Sequence, residues 1–388
     1  MGKPLKSVFK KEHRDDVSNP STNPAFSSVA EIFLSRRRLL QLGAVAGAAA
    51  AFPLLIKPEQ AFAAVSTPSP LAKAVSLGFT SIAVSTEDSV RVPEGYLARP
   101  FYRWGDATGI QGNMPAFKLD ASNTAEEQAV QAGMHHDGMA WFSLPQNQDN
   151  PTHGLLAMNH EYIDNGMLFP DGAANWNLEK ARKGQNAMGV SVIEVKKGDS
   201  GWEVVRPSGY ARRITVNTPM QLTGPARHQP LMKTAADPQG EQVLGTMQNC
   251  ANGHTPWGTY LTCEENWSDI FVKKGDHNAL EKRYGISDSD ESYRWNEVDD
   301  RFNVDKTPNE PNRFGWVVEI DPYNPTSTPR KHTALGRFKH EGAAVTLAAD
   351  GRAVVYMGDD QKFEYIYKFI SENKYDPANR DANMRLLE

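Results

Sequence analysis

Beyond residue 63, hydrophobic positions occur in short runs that glycine, proline and aspartate interrupt. Runs rich in valine, isoleucine, tyrosine and tryptophan are typical of β-strands, and they are found at Gly189–Val195, Trp257–Thr262, Trp316–Ile320, Ala353–Met357 and Glu364–Phe369. A short helix is predicted over Thr124–Ala132, because Thr124 and Glu127 have the spacing of a capping box. Many short strands without alternating helices predict an all-β fold, which could be a sandwich, a barrel or a β-propeller.

The segment from about residue 273 to 312 lacks such runs. Because it is polar and charged, we predict a long insertion, partly helical, that lies outside the core. Composition agrees with a fold of many turns, since the 388 residues include 30 glycines and 25 prolines. The net charge of -5 argues against a nucleic-acid partner bound through a broad basic surface.

The first 63 residues have the features of an export signal. Arg36 and Arg37 precede an apolar run, Leu39–Ile56, and Ala61-Phe62-Ala63 offers a small-residue cleavage site. Such features predict a twin-arginine signal leader, recognised by the twin-arginine translocation machinery. The alternative is an uncleaved membrane anchor, because a run of about 18 residues is at the lower limit for spanning.

The content of alanine and glycine makes this apolar run weakly hydrophobic, and Pro53 interrupts it. We therefore predict no stable membrane anchor. The predicted organisation is a leader over residues 1–63 and a single domain over residues 64–388, exported to the periplasm or secreted.

Residues of metal-ligand type lie next to several predicted strands. These sets are Asn159-His160-Glu161, Cys263-Glu264-Glu265-Asn266, Gly358-Asp359-Asp360 and Lys339-His340-Glu341-Gly342. Carboxylate oxygens suit hard cations such as Ca²⁺, whereas a thiolate suits a softer ion such as iron or zinc. Each set taken alone is more typical of a solvated turn than of a metal site. The two cysteines, Cys250 and Cys263, could instead form a disulfide, which an exported chain would permit.

One long block points to a known family. The stretch from Asn249 to Trp267, NCANGHTPWGTYLTCEENW, resembles the signature of the PhoX alkaline phosphatases. Further blocks that resemble the family are Met158–Tyr162, Gly336–Ala343 and Tyr356–Asp360. The resemblance runs from about residue 80 to the end of the sequence.

This resemblance implies a six-bladed β-propeller with irregular insertions and the cofactors Ca²⁺ and Fe³⁺. It implies that the cysteine of the Thr-Cys-Glu-Glu motif, Cys263, is an iron ligand. The carboxylate ligands that it implies are Glu264, Glu265, Glu341 and Glu161. The Arg-Pro-Glu motif of the family is not found in this sequence, so we expect an incomplete propeller whose activity on its own is in question.

The resulting hypothesis is a monomeric, exported alkaline phosphatase that hydrolyses small phosphate monoesters. No serine or threonine nucleophile motif is evident, and a metal-bound oxygen is the hypothetical nucleophile, with cations neutralising the phosphate charge. One alternative is a Ca²⁺-dependent propeller hydrolase of another class, a lactonase or esterase, which needs no thiolate. The other is a non-catalytic exported propeller that serves as a binding module.

Overall fold

The computed structural model describes residues 79–388 except residue 291. The predicted signal leader, residues 1–63, lies outside this range. Residues 79–100 and residues 101–388 belong to two different compact units. The shorter stretch contains no helix or strand, and within it the ring of Phe79 packs edge-on against Tyr96 with centroids 5.8 Å apart. Across the described range, every helix is too short or too polar to cross a membrane.

Strands dominate residues 101–388. They are β1 His136–Ser143, β2 His153–His160, β3 Gly189–Gly198, β4 Gly201–Val204, β5 Arg212–Ile214, β6 Pro219–Thr223, β7 Gln242–Leu244, β8 Asn249–His254, β9 Tyr260–Glu264, β10 Val317–Ile320, β11 Arg330–His332, β12 Ala344–Leu347, β13 Arg352–Gly358 and β14 Ile366–Lys374. Three of the five predicted runs, those at β3, β10 and β13, coincide closely with strands. Trp257 instead lies in the turn before β9, where Gly258 has a φ of +81° and its N–H donates to the Thr255 carbonyl.

The helices are short. They are α1 Ala125–Gln128, α2 Asn165–Leu168, α3 Leu178–Ala187, α4 Ala279–Tyr284 and α5 Arg380–Asn383, with 3-10 turns at Pro230–Met232, Trp267–Ile270, Trp295–Glu297, Asp300–Phe302, Glu310–Arg313 and Thr333–Leu335. The predicted capping box is confirmed in α1, because the Thr124 side chain accepts from the Glu127 N–H and the Glu127 side chain accepts from the Thr124 N–H.

The strands of the described residues form three sheets. The first has the order β1-β2-β3-β4, with β5 also paired to β3; the second is β7-β6-β11-β10-β9-β8; the third is β12-β13-β14. Neighbouring strands run antiparallel, except β6 and β11, which are parallel. The all-β prediction is confirmed, and separate sheets of mainly antiparallel strands are consistent with a propeller.

The largest apolar cluster joins the first two sheets. Leu155 and Val192 come from the first sheet, Leu222 and Val318 from the second, and all four are fully buried. The alternation of strand side chains explains this arrangement, because one face of each strand turns toward the other sheet.

The predicted placement of residues 273–312 outside the core is wrong. This segment is irregular and partly helical, as expected, but Trp295, Phe302 and Val304 are fully buried in the same cluster. The rings of Trp295 and Phe302 meet edge-on with centroids 5.0 Å apart. The apolar residues stand singly among polar ones, so they give no periodic signal in the sequence, yet each fills space beneath the sheets.

Replacing Trp295 with alanine tests this correction. We expect the free energy of unfolding to fall by about 3–5 kcal/mol, because a large buried side chain leaves a cavity. Leu280→Ala, on the exposed side of the same segment with 46% of Leu280 accessible, should change stability by no more than about 0.5 kcal/mol. Chemical denaturation measures both, and equal small effects would show that the segment is not part of the core.

Candidate metal centre

Strand ends from all three sheets meet at one group of acidic side chains. Asp137 lies in β1, Glu161 follows β2, Cys250 lies in β8 and Glu265 follows β9. An antiparallel β-bridge between His340 and Asp359 joins the two segments that carry Glu341 and Asp360. The acidic cluster consists of Asp137, Glu161, Cys250, Glu265, Glu341 and Asp360.

Short contacts connect the members of the acidic cluster. The possible ligand atoms of Asp137, Glu161 and Cys250 all lie within 4.8 Å of one another. The Cys250 thiol donates to Glu341 Oε1 with an S···O distance of 3.8 Å. Glu161 is hydrogen-bonded to Asp137, and Asp360 is hydrogen-bonded to both Glu265 and Glu341. The side chains therefore form one continuous set.

Cys250 reaches the acidic cluster because β8 is irregular at this point. The pairing of β8 with β9 shifts register between Asn249 and Asn252, and such a bulge turns a side chain away from the direction that regular alternation gives it. Gly138 of β1 lies directly against the bulge, since a Cβ there would be 2.9 Å from the Ala251 carbonyl carbon. The bulge and this close approach place the thiol beside Asp137.

Burial and crowding keep these acids protonated to an unusual degree. Burial, followed by the charge and hydrogen bond of Asp137, raises the pKa of Glu161 to about 7. Burial and then Asp360 raise the pKa of Glu265 to about 8. The same two causes raise the pKa of Glu341. Burial and then the charge of Glu265 raise the pKa of the Cys250 thiol. Like charges this close repel one another, and a bound cation would relieve the repulsion.

Cys263, predicted as the iron ligand, lies outside the acidic cluster. It is fully buried in an apolar cluster with Leu261, Val317 and Val355, and burial raises the pKa of its thiol to about 12. Strand alternation is the reason, because residues two apart in β9 share a face, and Leu261 and Cys263 face the third sheet. Both cysteines are free, so the disulfide alternative is not realised.

Glu264, also predicted as a ligand, is engaged elsewhere. Its Oε1 accepts from Lys331 Nζ at 2.7 Å, and its Oε2 accepts from the N–H groups of Gly315 at 2.9 Å and Trp316 at 3.1 Å. Both members of the ion pair are fully buried. Glu264 therefore stabilises the second sheet, while Glu161, Glu265 and Glu341 are the predicted ligands that the structure brings together.

Three members of the acidic cluster were not among the ligands predicted from the sequence. Asp137 follows two histidines, a ligand-like triplet without informative spacing. Cys250 stands inside the signature block, but its role depends on the bulge in β8. Asp360 does follow a predicted strand, and the available signal was its position two residues after β13; nothing in the sequence distinguishes it from a solvated turn.

Residues 77–388 match the family described as "Alkaline phosphatase PhoX". The chain belongs to the PhoX alkaline phosphatase family. One solved structure, "Pseudomonas fluorescens PhoX in complex with vanadate, a transition state analogue", is 47% identical to it with a TM-score of 0.76. The match covers 80% of this chain and 53% of that chain, so this PhoX-family chain spans about half the length of that relative. Among curated proteins, no match was found.

The raised pKa values predict how the stability of the metal-free PhoX-family chain depends on pH. Glu161 and Glu265 titrate at about 7 and 8 when folded, against an ordinary value of 4.5. Between pH 4.5 and 8 the folded state therefore binds more protons than the unfolded state, and stability falls as the pH rises. We expect a lower Tm above this window than at its acidic end, measured with a chelator present.

Glu161→Gln combined with Glu265→Gln is the matched control, because glutamine does not ionise. This double variant should lose less of its Tm across the same window. An unchanged pH dependence in the double variant would show that these two carboxyl groups do not cause it.

Proposed function

We propose that the acidic cluster is a metal centre and that this chain uses it to hydrolyse phosphate monoesters. The observation that supports this most strongly is a thiol, Cys250, surrounded by carboxyl groups whose main neighbours are one another rather than basic side chains. The solved relative is in complex with vanadate, described as a transition state analogue, which supports a phosphate ester as the substrate class here.

The residues of the acidic cluster fit the ions proposed from the family resemblance. Carboxylate oxygens such as those of Glu265 and Asp360 suit Ca²⁺. The thiolate of Cys250, with Glu161 and Glu341 nearby, suits an iron ion, for which we propose Fe³⁺. Bound in this cluster, such cations would neutralise the charges of a phosphate ester and orient it for attack by an oxygen nucleophile.

Protonation of the cluster links the centre to alkaline conditions. With pKa values of about 7 for Glu161 and about 8 for Glu265, both carboxyl groups are largely ionised only at alkaline pH in the absence of cations. Ligands must lose their protons to bind metal, so cation binding releases protons and strengthens as the pH rises. The chain's own acids therefore favour an assembled centre under alkaline conditions.

We further propose that the chain acts as a monomer outside the cytoplasm, in the periplasm or as a secreted protein. The support is the sequence pattern of residues 1–63, with Arg36 and Arg37 ahead of an apolar run. The twin-arginine route exports proteins that have already folded, which suits a centre assembled from residues far apart in the sequence. Small phosphate esters are the proposed substrates.

Two alanine variants test which thiol belongs to the centre. Cys250→Ala should lower the iron content of the purified protein at least tenfold, because it removes the thiolate from the acidic cluster. Cys263→Ala is the matched control and should keep its iron, since Cys263 packs among apolar side chains. Elemental mass spectrometry measures iron and calcium, and hydrolysis of p-nitrophenyl phosphate measures activity in the same samples.

Loss of iron from Cys263→Ala with retention in Cys250→Ala would contradict the assignment of Cys250. A wild-type protein that holds both metals but hydrolyses no phosphate ester would leave the metal centre intact and overturn the proposed activity.

A further inference from the structure

Asn159 is a fully buried amide that uses all of its hydrogen-bonding capacity. Its Nδ2 donates to the carbonyl oxygens of Cys250 at 2.5 Å and Ala251 at 3.1 Å. Its Oδ1 accepts from the hydroxyl groups of Tyr260 at 2.8 Å and Thr262 at 2.7 Å. The carbonyl groups can only accept, which fixes the orientation of the amide. Asn159 therefore cannot turn an oxygen toward the acidic cluster without losing these bonds.

These four bonds connect the segments that carry the cluster. Asn159 lies in β2, two residues before Glu161, and it bonds to the backbone at Cys250 in β8. Its other partners lie in β9, which Glu265 follows. The Tyr260 hydroxyl also lies 2.7 Å from the Gly138 carbonyl oxygen, next to Asp137 in β1, so its single proton is shared between this carbonyl oxygen and Asn159 Oδ1. One buried amide thus joins the strand ends that deliver Asp137, Glu161, Cys250 and Glu265.

The bulge at Cys250 needs such support. Between Asn249 and Asn252 the ladder to β9 is interrupted, so the carbonyl groups at positions 250 and 251 face away from regular strand pairing. The Asn159 amide supplies their donors, and a buried carbonyl group left without one is costly. On the other side, Gly138 packs so closely that a Cβ would lie 2.8 Å from Asn252 Oδ1. The backbone that carries the thiol is therefore held between β1 and β2.

We propose that Asn159 is a positioning residue of the metal centre, whose side-chain amide holds the bulge of β8 so that the Cys250 thiol lies among the carboxylates. This inference rests on the proposed metal centre. It differs from a purely stabilising role, because loss of the amide should release the thiol from the centre even in a chain that remains folded. Residues that orient metal ligands typically change metal affinity by about 10–100-fold when they are replaced.

Binding of Co²⁺ to the metal-free chain tests the proposal without using activity. Coordination of a thiolate to Co²⁺ gives a charge-transfer absorption band, so the titration reports both affinity and participation of Cys250. Asn159→Ala and Asn159→Asp both remove the two N–H donors, and the aspartate keeps the size and the acceptor oxygen. We expect both variants to bind Co²⁺ at least tenfold more weakly and to lose most of the thiolate band.

Asn383→Ala is the matched control for stability. Asn383 is also buried, and its side chain bonds the backbone of Asp376 through both its oxygen and its nitrogen, without contact to the cluster. Thermal unfolding measures how much stability each variant has lost. Asn383→Ala should keep the wild-type affinity for Co²⁺ and the thiolate absorption band. Asn159 variants that fold and keep both would overturn the positioning role alone. A wild-type chain that binds Co²⁺ without a thiolate band, or does not bind it, would overturn the metal centre and the positioning role with it.

Discussion

Repulsion among acids held close together is the constraint on which this molecule depends. The pKa values of Glu161 and Glu265 are raised because these side chains are largely withdrawn from water and face other carboxyl groups, and the more exposed Glu341 has its pKa raised by partial desolvation and then by Asp360. When these carboxyl groups are ionised, they repel one another and the strands that carry them. The surrounding structure must therefore keep the side chains in place when no cation balances their charge. The restraints are structural: the bridge between His340 and Asp359 and the buried amide of Asn159.

Two buried acids of the second sheet differ from the acidic cluster, because each of them is paired with basic side chains. Burial alone would raise the pKa of Glu319, but the hydrogen bond and charge of His332, together with the charge of Arg330, lower it to about 2. Glu264 is likewise paired with Lys331. A buried carboxylate that is paired with a basic side chain contributes to a rigid sheet. Removing one member of the pair would leave an uncompensated charge. Within residues 79–388, as far as the structure describes them, the acids of the cluster have no such basic partner beside them, which is why we propose that they bind ions.

The sequence supported the fold class better than the site. Short β-branched runs and a capping box predicted strands and α1 correctly, and the signature block led to the right family. The sequence pointed to Cys263, whereas the structure places Cys250 in the acidic cluster, and that placement depends on the bulge in β8, which packs against Gly138 of β1. Glu264 and its neighbour Glu265 look alike in sequence, and their roles differ through groups distant in the chain: Lys331 and the N–H groups of Gly315 and Trp316, which bond Glu264. The buried role of Trp295 was missed because the apolar residues of its segment stand singly among polar ones and give no periodic signal.

We propose that Cys250, and not Cys263, joins the carboxylates that hold an iron ion. The most direct measurement is X-ray diffraction from crystals of the purified chain, with anomalous data collected on both sides of the iron absorption edge. If Cys250 is a ligand, we expect an iron peak within bonding distance of Cys250 Sγ, about 2.3 Å as for other metal–thiolate bonds, with Glu161 or Glu341 as a neighbouring ligand. An iron peak beside Cys263, or one in the acidic cluster that does not contact Cys250, would contradict it.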